Sequence, residues 1–196
     1  MSYEDEYEYK PSILSIIWSW IWSFIVAFII VGGVYFFLGR PFTVSGASMY
    51  PTLHNGDRMV LSKVGDIHRF DVVILKAPDE NVEYIKRVIG MPGDTIEMKS
   101  GVLYINGKKV DQPFINTEAL AKQTVFMDDF TLESLTGESK VPEGKYFVLG
   151  DNRGVSKDSR MIGFIDRSAI EGKAVFTIWP FGRIGGQKDY SYLYSE

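Results

Sequence analysis

Thr95-Ile96-Glu97-Met98-Lys99-Ser100-Gly101-Val102-Leu103-Tyr104-Ile105-Asn106-Gly107-Lys108-Lys109-Val110 decides the fold class. Ser100-Gly101 parts two short runs that read as a hairpin. Asn106-Gly107 is a strong two-residue turn signal that returns the chain to Lys108–Val110. Upstream, Arg58–Val64, Phe70–Lys76 and Tyr84–Ile89 are rich in valine, isoleucine and leucine, with turn residues between them. Downstream, Lys145–Leu149 and Ala174–Trp179 read the same way. Residues 111–143 are more polar and less regular, an inserted β subdomain with one or two strands such as Phe130–Leu135. Many short strands with Gly/Pro turns predict a mainly β protein: an antiparallel folded-sheet or barrel-like domain over 41–196.

Before this domain the chain changes character. Residues 1–12 form a short acidic tail with Glu4, Asp5, Glu6 and Glu8. Ile13 to Leu38 then runs without a charge. As a helix it is about 39 Å long, enough to cross a hydrocarbon core of ~30 Å with some tilt. Trp18, Trp20 and Trp22 cluster in its first half and Tyr35 sits near the other end. Ser15, Ser19 and Ser23 are tolerable because a helical serine bonds back to its own backbone. The segment is too long, and its leading flank too acidic, for a cleaved secretory signal; it reads as an uncleaved transmembrane anchor. Lys10 and Arg40 flank it on opposite sides, so the positive-inside count does not orient it.

Composition excludes several chemistries. Net charge is -4, and no basic stripe suggests nucleic acid. Cysteine is absent, which removes disulfides, thiol nucleophiles and thiolate zinc sites. The two histidines, His54 and His68, lack metal-site spacing, and no metal or cofactor is expected.

Three stretches could carry chemistry. Val44-Ser45-Gly46-Ala47-Ser48-Met49-Tyr50-Pro51-Thr52-Leu53 puts Ser48 on a turn whose small neighbours admit another backbone. On residues alone, Ser48 is equally a solvated turn serine. A nucleophilic serine needs a base. In Glu83-Tyr84-Ile85-Lys86-Arg87-Val88-Ile89-Gly90, strand alternation groups Lys86 with Tyr84 and Val88, and Arg87 with Ile85 and Ile89. A lysine among apolar groups loses its charge more readily and can then accept a proton; otherwise it is a solvated surface residue. Gly150-Asp151-Asn152-Arg153-Gly154-Val155-Ser156-Lys157-Asp158-Ser159-Arg160 follows a strand and gathers hydroxyls, acids and arginines, as a solvated loop or as support for a site.

The segments Ser45–Leu53, Arg69–Leu75, Tyr84–Asp94 and Gly150–Arg160, in this order after one apolar span, resemble the boxes of type I signal peptidases, membrane-anchored Ser/Lys endopeptidases, most like the short Gram-positive kind. The resemblance runs from Ile13 to Phe181 apart from 111–143. It implies that Ser48 is the nucleophile and Lys86 the general base. Ser156 would hydrogen-bond the amine, and Asp158 and Arg160 would hold the loop, with Arg87 in their ion-pair cluster. The Ser48 backbone N–H would serve the oxyanion. Some relatives place a serine two positions before the nucleophile as a second donor; here Gly46 stands there. Met49, Tyr50 and Tyr84 are candidates for lining shallow substrate pockets. The implied substrates are exported preproteins cut after small residues at A-x-A-like sites, and the implied location is the outer side of the membrane. Two rivals are a related Ser/Lys self-cleaving repressor-type protease and a membrane-tethered β binding module.

Overall fold

The computed structural model describes residues 12–38, 41–115 and 129–194, the side chains of 34–38 excepted. The acidic tail, Lys10, Arg40 and the Tyr35 ring therefore lie outside the described residues, as does most of the polar 111–128 stretch. The chain divides into two units, Met1–Phe37 and Leu38–Glu196.

The first unit holds helix α1, Ile13–Leu38. Its apolar side chains from Ile13 to Val31 are exposed. A helix with apolar residues all round has the composition of a lipid-facing span, and over Ile13–Gly33 it is long and apolar enough for one. Its serines bond back as expected: Ser15 Oγ to the Ser12 carbonyl at 2.7 Å, Ser19 Oγ to Ile16 at 2.7 Å, and Ser23 Oγ to Ser19 at 2.9 Å.

The second unit is mainly β, and every strand pairing among its described residues is antiparallel. Its strands are β1 Pro41–Thr43, β2 Arg58–Ser62, β3 Val72–Lys76, β4 Glu83–Gly90, β5 Ile96–Lys99, β6 Val102–Ile105, β7 Lys108–Val110, β8 Phe130–Thr131, β9 Lys145–Leu149, β10 Ile165–Asp166, β11 Ile170–Trp179 and β12 Gly185–Gly186. The larger sheet has the order β1-β2-β11-β3-β4-β9-β10, with β12 on β11. It does not close into a barrel: β1 and β10 stay at opposite ends. The smaller sheet is β7-β6-β5-β8. Most of it comes from Ile96–Val110, ahead of the expected insertion, whose described residues add β8.

β3 and β4 are buried on both faces, which explains their near-continuous apolar runs. One side of β4 contributes Val88 and Tyr84 to a core with Val73, Leu75, Val148 and Ile170. From the other side, Ile89 joins Phe147 and Leu149 against Ile96, Met98, Leu103 and Ile105 of the small sheet. A register shift between Val88 and Gly90 bends the strand toward that sheet. A Cβ at Gly90 would lie 2.9 Å from Val141 Cγ2 and 3.0 Å from Phe147 Cβ, so only glycine fits the bend.

One expected strand ends as a helix. Phe130–Glu133 alternates apolar and polar residues, but only Phe130–Thr131 pairs with β5; Leu132–Thr136 is helix α2. Thr131 and Ser134 form a reciprocal capping box, and Gly137 closes the helix at φ +79. The second short helix, α3 Ser159–Ile162, starts at Asp158, whose side chain accepts from the Arg160 N–H.

Candidate active site

Ser48 sits in the loop between β1 and β2. The loop is anchored from below by Val44, Met49 and Leu53, which join Met59, Leu61, Ile74 and Ile85 in a buried cluster. Its backbone is also stitched to the segment after β9. The Asn152 N–H donates to the Ser48 carbonyl at 2.9 Å, and Asn152 Nδ2 to the Ala47 carbonyl at 3.1 Å. Gly150 makes this approach possible: a Cβ there would lie 2.5 Å from the Ser48 carbonyl oxygen and 2.2 Å from Ser156 Oγ.

From β4, Lys86 brings its Nζ to 3.0 Å from Ser48 Oγ and 3.0 Å from the Ile85 carbonyl. The residue is 3% exposed, and its Nζ lies 4.9 Å from the centre of the Tyr84 ring. Burial pulls the amine pKa down from 10.5 to about 8, against the opposing pull of Asp158 and Asp151. A neutral amine has two donors and one lone pair. With one N–H spent on Ile85, the lone pair is free to face the serine hydroxyl.

Arg87, the next residue, turns the other way. It is 1% exposed and lies 4.3 Å over the Phe114 ring. Its Nε and Nη2 donate to the two Asp151 oxygens at 2.8 and 2.6 Å, and Nη1 donates to the Phe70 carbonyl at 2.8 Å. Thr52 Oγ1 donates to the same Asp151 carboxylate at 2.6 Å. A fully buried guanidinium is tolerable only with this degree of pairing. Asp151 thereby ties the Ser48 loop, β4 and the segment after β9 to one carboxylate.

Three expectations are corrected. Arg87 does not join Asp158 and Arg160; its partner is Asp151, while Asp158 pairs with Arg160 at 2.8 Å and accepts the Gly150 N–H at 2.9 Å. Ser156 Oγ is buried beside the site but has no hydrogen-bond partner among the described residues, Lys86 included. Met49 does not line a pocket; at 1% exposure it is core, because its turn directs it inward. Tyr50 is exposed, and its ring lies tilted beside that of His54, 5.1 Å between ring centres.

A cleft of about 440 Å³ opens over the dyad, lined by Phe42, Ser45–Ser48, Glu83–Lys86, Val155 and Lys157. Tyr84 does line it. Another cleft, of about 460 Å³ beside Pro51 and Arg183, touches neither Ser48 nor Lys86. No acceptor among the described residues engages the Ser48 N–H. Gly46 is exposed with φ +86, a conformation that a serine would adopt only with strain, which accounts for glycine at that position. Among the described residues no His/Asp/Glu cluster could hold a metal. The sequence reading overlooked Thr52, Asp151 and Asn152 as organisers. Only the Pro51-Thr52 and Gly150-Asp151-Asn152 neighbourhoods hinted at them.

The family model described as signal peptidase, peptidase S26, matches residues 17–179. The chain is similar to a signal peptidase I of Bacillus licheniformis, 47% identical over 156 residues, covering 76% of this chain and 81% of the relative. It is 44% identical to a signal peptidase IB of Staphylococcus aureus over 154 residues, 74% of this chain and 80% of that one. A crystal structure of a signal peptidase I from Enterococcus faecalis matches with a TM-score of 0.51 at 39% identity, over 56% of this chain and 97% of the other.

Proposed function

The chain belongs to the signal peptidase family, peptidase S26, and on that premise we propose that it cuts signal peptides from exported preproteins with Ser48 as nucleophile and Lys86 as general base. The observation that carries this is the 3.0 Å contact between a buried amine and the Ser48 hydroxyl. With a pKa of about 8, roughly one Lys86 amine in eleven is neutral at pH 7. The neutral amine takes the Ser48 proton as Oγ attacks the scissile carbonyl. Negative charge develops on the carbonyl oxygen, which the Ser48 N–H stabilises. The ammonium then protonates the leaving amine, the C–N bond breaks, and an acyl-enzyme remains. Lys86 then takes a proton from water as it attacks the ester carbonyl, and the resulting ammonium gives that proton to Ser48 Oγ as the ester bond breaks.

Asp151, Arg87 and Thr52 hold the loop, and Asp158 with Arg160 holds the segment after β9. The substrate lies extended in the cleft, with small residues before the cut as in A-x-A-like sites. Helix α1 anchors the enzyme by a single pass, with residues 41–196 outside the cytoplasm. Preproteins and the bilayer are its partners; nucleic acid is not. A shared membrane raises the effective concentration of enzyme and substrate.

The test is processing of a signal-peptide-bearing preprotein by the full chain in detergent. Ser48→Ala and Lys86→Ala each abolish cleavage while the far-ultraviolet circular dichroism stays native. Substantial processing by folded Lys86→Ala protein would refute the dyad.

A further inference from the structure

Lys157 follows Ser156 directly and lines the cleft with Val155. Its Nζ lies 2.6 Å from Asp79 Oδ2 and also donates to Glu80 Oε1. Both acids belong to the turn between β3 and β4, shortly before Glu83, where the part of β4 that lines the cleft begins. All three are partly exposed, with side chains 38 to 49% accessible. The two acids hold the Lys157 ammonium above its usual pKa, and the ammonium holds the Asp79 carboxyl below its own. The same three charges act on the Tyr84 hydroxyl, whose ring covers the Lys86 amine.

A strap of this kind has a mechanical consequence. The loop carrying Val155 and Ser156 is fixed by Asp158 at its far end and by Asn152 at its near end. Between these anchors Val155 is 58% exposed, and Lys157 is the contact that draws this stretch toward the β3–β4 turn. We propose that Lys157, through Asp79 and Glu80, is a specificity-determining residue: it sets the width of the substrate cleft and thereby restricts the residues before the cut to small side chains. This rests on the proposed peptidase function.

Single exposed pairs contribute little, but one ammonium shared by two carboxylates on the same turn is a small network. The experiment uses the full chain in detergent and two preproteins that differ only in Ala or Leu at the third residue before the cut. The readout is the ratio of kcat/KM for the two. Lys157→Met, and separately Asp79→Asn with Glu80→Gln, lower the Ala-over-Leu ratio at least fivefold. Lys157→Arg keeps the wild-type ratio within twofold. Lys157→Glu combined with Asp79→Lys and Glu80→Lys recovers at least half of the lost selectivity, which a general loss of packing would not do. An unchanged ratio in both disrupted variants overturns the strap, as does an equal loss on both substrates without recovery in the charge-exchanged protein. If wild-type protein cleaves neither preprotein, the peptidase reading falls first, so the two failures are distinct.

Discussion

Burial holds the Lys86 amine near pKa 8 in the folded protein, against 10.5 in an unfolded chain. Below about pH 8 both states are protonated, and the fold carries the full cost of a buried ammonium. Between about 8 and 10.5 the unfolded state binds more protons than the native one, so stability rises with pH. The shift corresponds to up to about 3 kcal/mol. Lys86→Met is therefore expected to be inactive but more stable than wild type at pH 7, by about 1–3 kcal/mol, in urea titrations. The difference shrinks as the titration is repeated toward pH 10.5. Activity follows the same proton with its own sign: the rate of the chemical step climbs with pH and levels off above about 8. A profile flat from pH 6 to 10 under chemistry-limited conditions contradicts a titrating base. Lys86 was legible in the sequence as a candidate, a lysine among apolar strand residues, while its role came from the family resemblance. Thr52 and Asp151 were not. Their hydrogen bond joins residues 99 positions apart, and such a contact leaves no local pattern.

Among the elements, the segment after β9 does most to assemble the site. Gly150 needs no left-handed backbone there; it needs the absence of a side chain between Ser156 and the Ser48 carbonyl. Gly150→Ala is expected to push these two segments apart, costing about 1–3 kcal/mol in stability and at least tenfold in kcat. Thermal unfolding and preprotein cleavage measure the two effects. Asp151→Ala leaves the Arg87 guanidinium buried and unpaired, which costs about 3–5 kcal/mol and frees the Thr52 end of the loop. The strands themselves were readable because runs rich in valine, isoleucine and leucine, bounded by turn residues, survive in the local sequence. The β8–α2 stretch was not, since the alternation of Phe130–Glu133 fits a strand while Thr131 and Ser134 cap a helix. A pattern of side-chain size does not reveal which backbone groups a hydroxyl will satisfy.

For the whole molecule, the division at Leu38 separates an apolar helix from a β unit with its own cores. A fragment beginning at Pro41 is expected to fold and to cut a short soluble peptide within about threefold of the full chain, since cleft and dyad lie in that unit. On a preprotein inserted in phospholipid vesicles it is expected to lag the full chain at least tenfold, because the shared surface is gone. Equal rates on vesicle-bound preprotein would show that α1 does not serve as a tether. Long uncharged composition made that helix plain from the sequence alone. The open order of the large sheet was hidden, because edge strands β1, β10 and β12 have only two or three residues each.

Lys86 and Arg87 are consecutive cations assigned to opposite faces of one strand. A slip of β4 by a single position would exchange them. The guanidinium, which has only donors and no lone pair to take a proton, would then confront Ser48, and a flexible amine would be left to fill a slot shaped for a planar fork. Such a molecule could keep most of its hydrogen-bond ladder and its apolar content, yet have no base. Pairing with β3 on one flank and β9 on the other guards against that error. Alignment of a strand with its neighbours is thus the step at which the chain acquires chemistry.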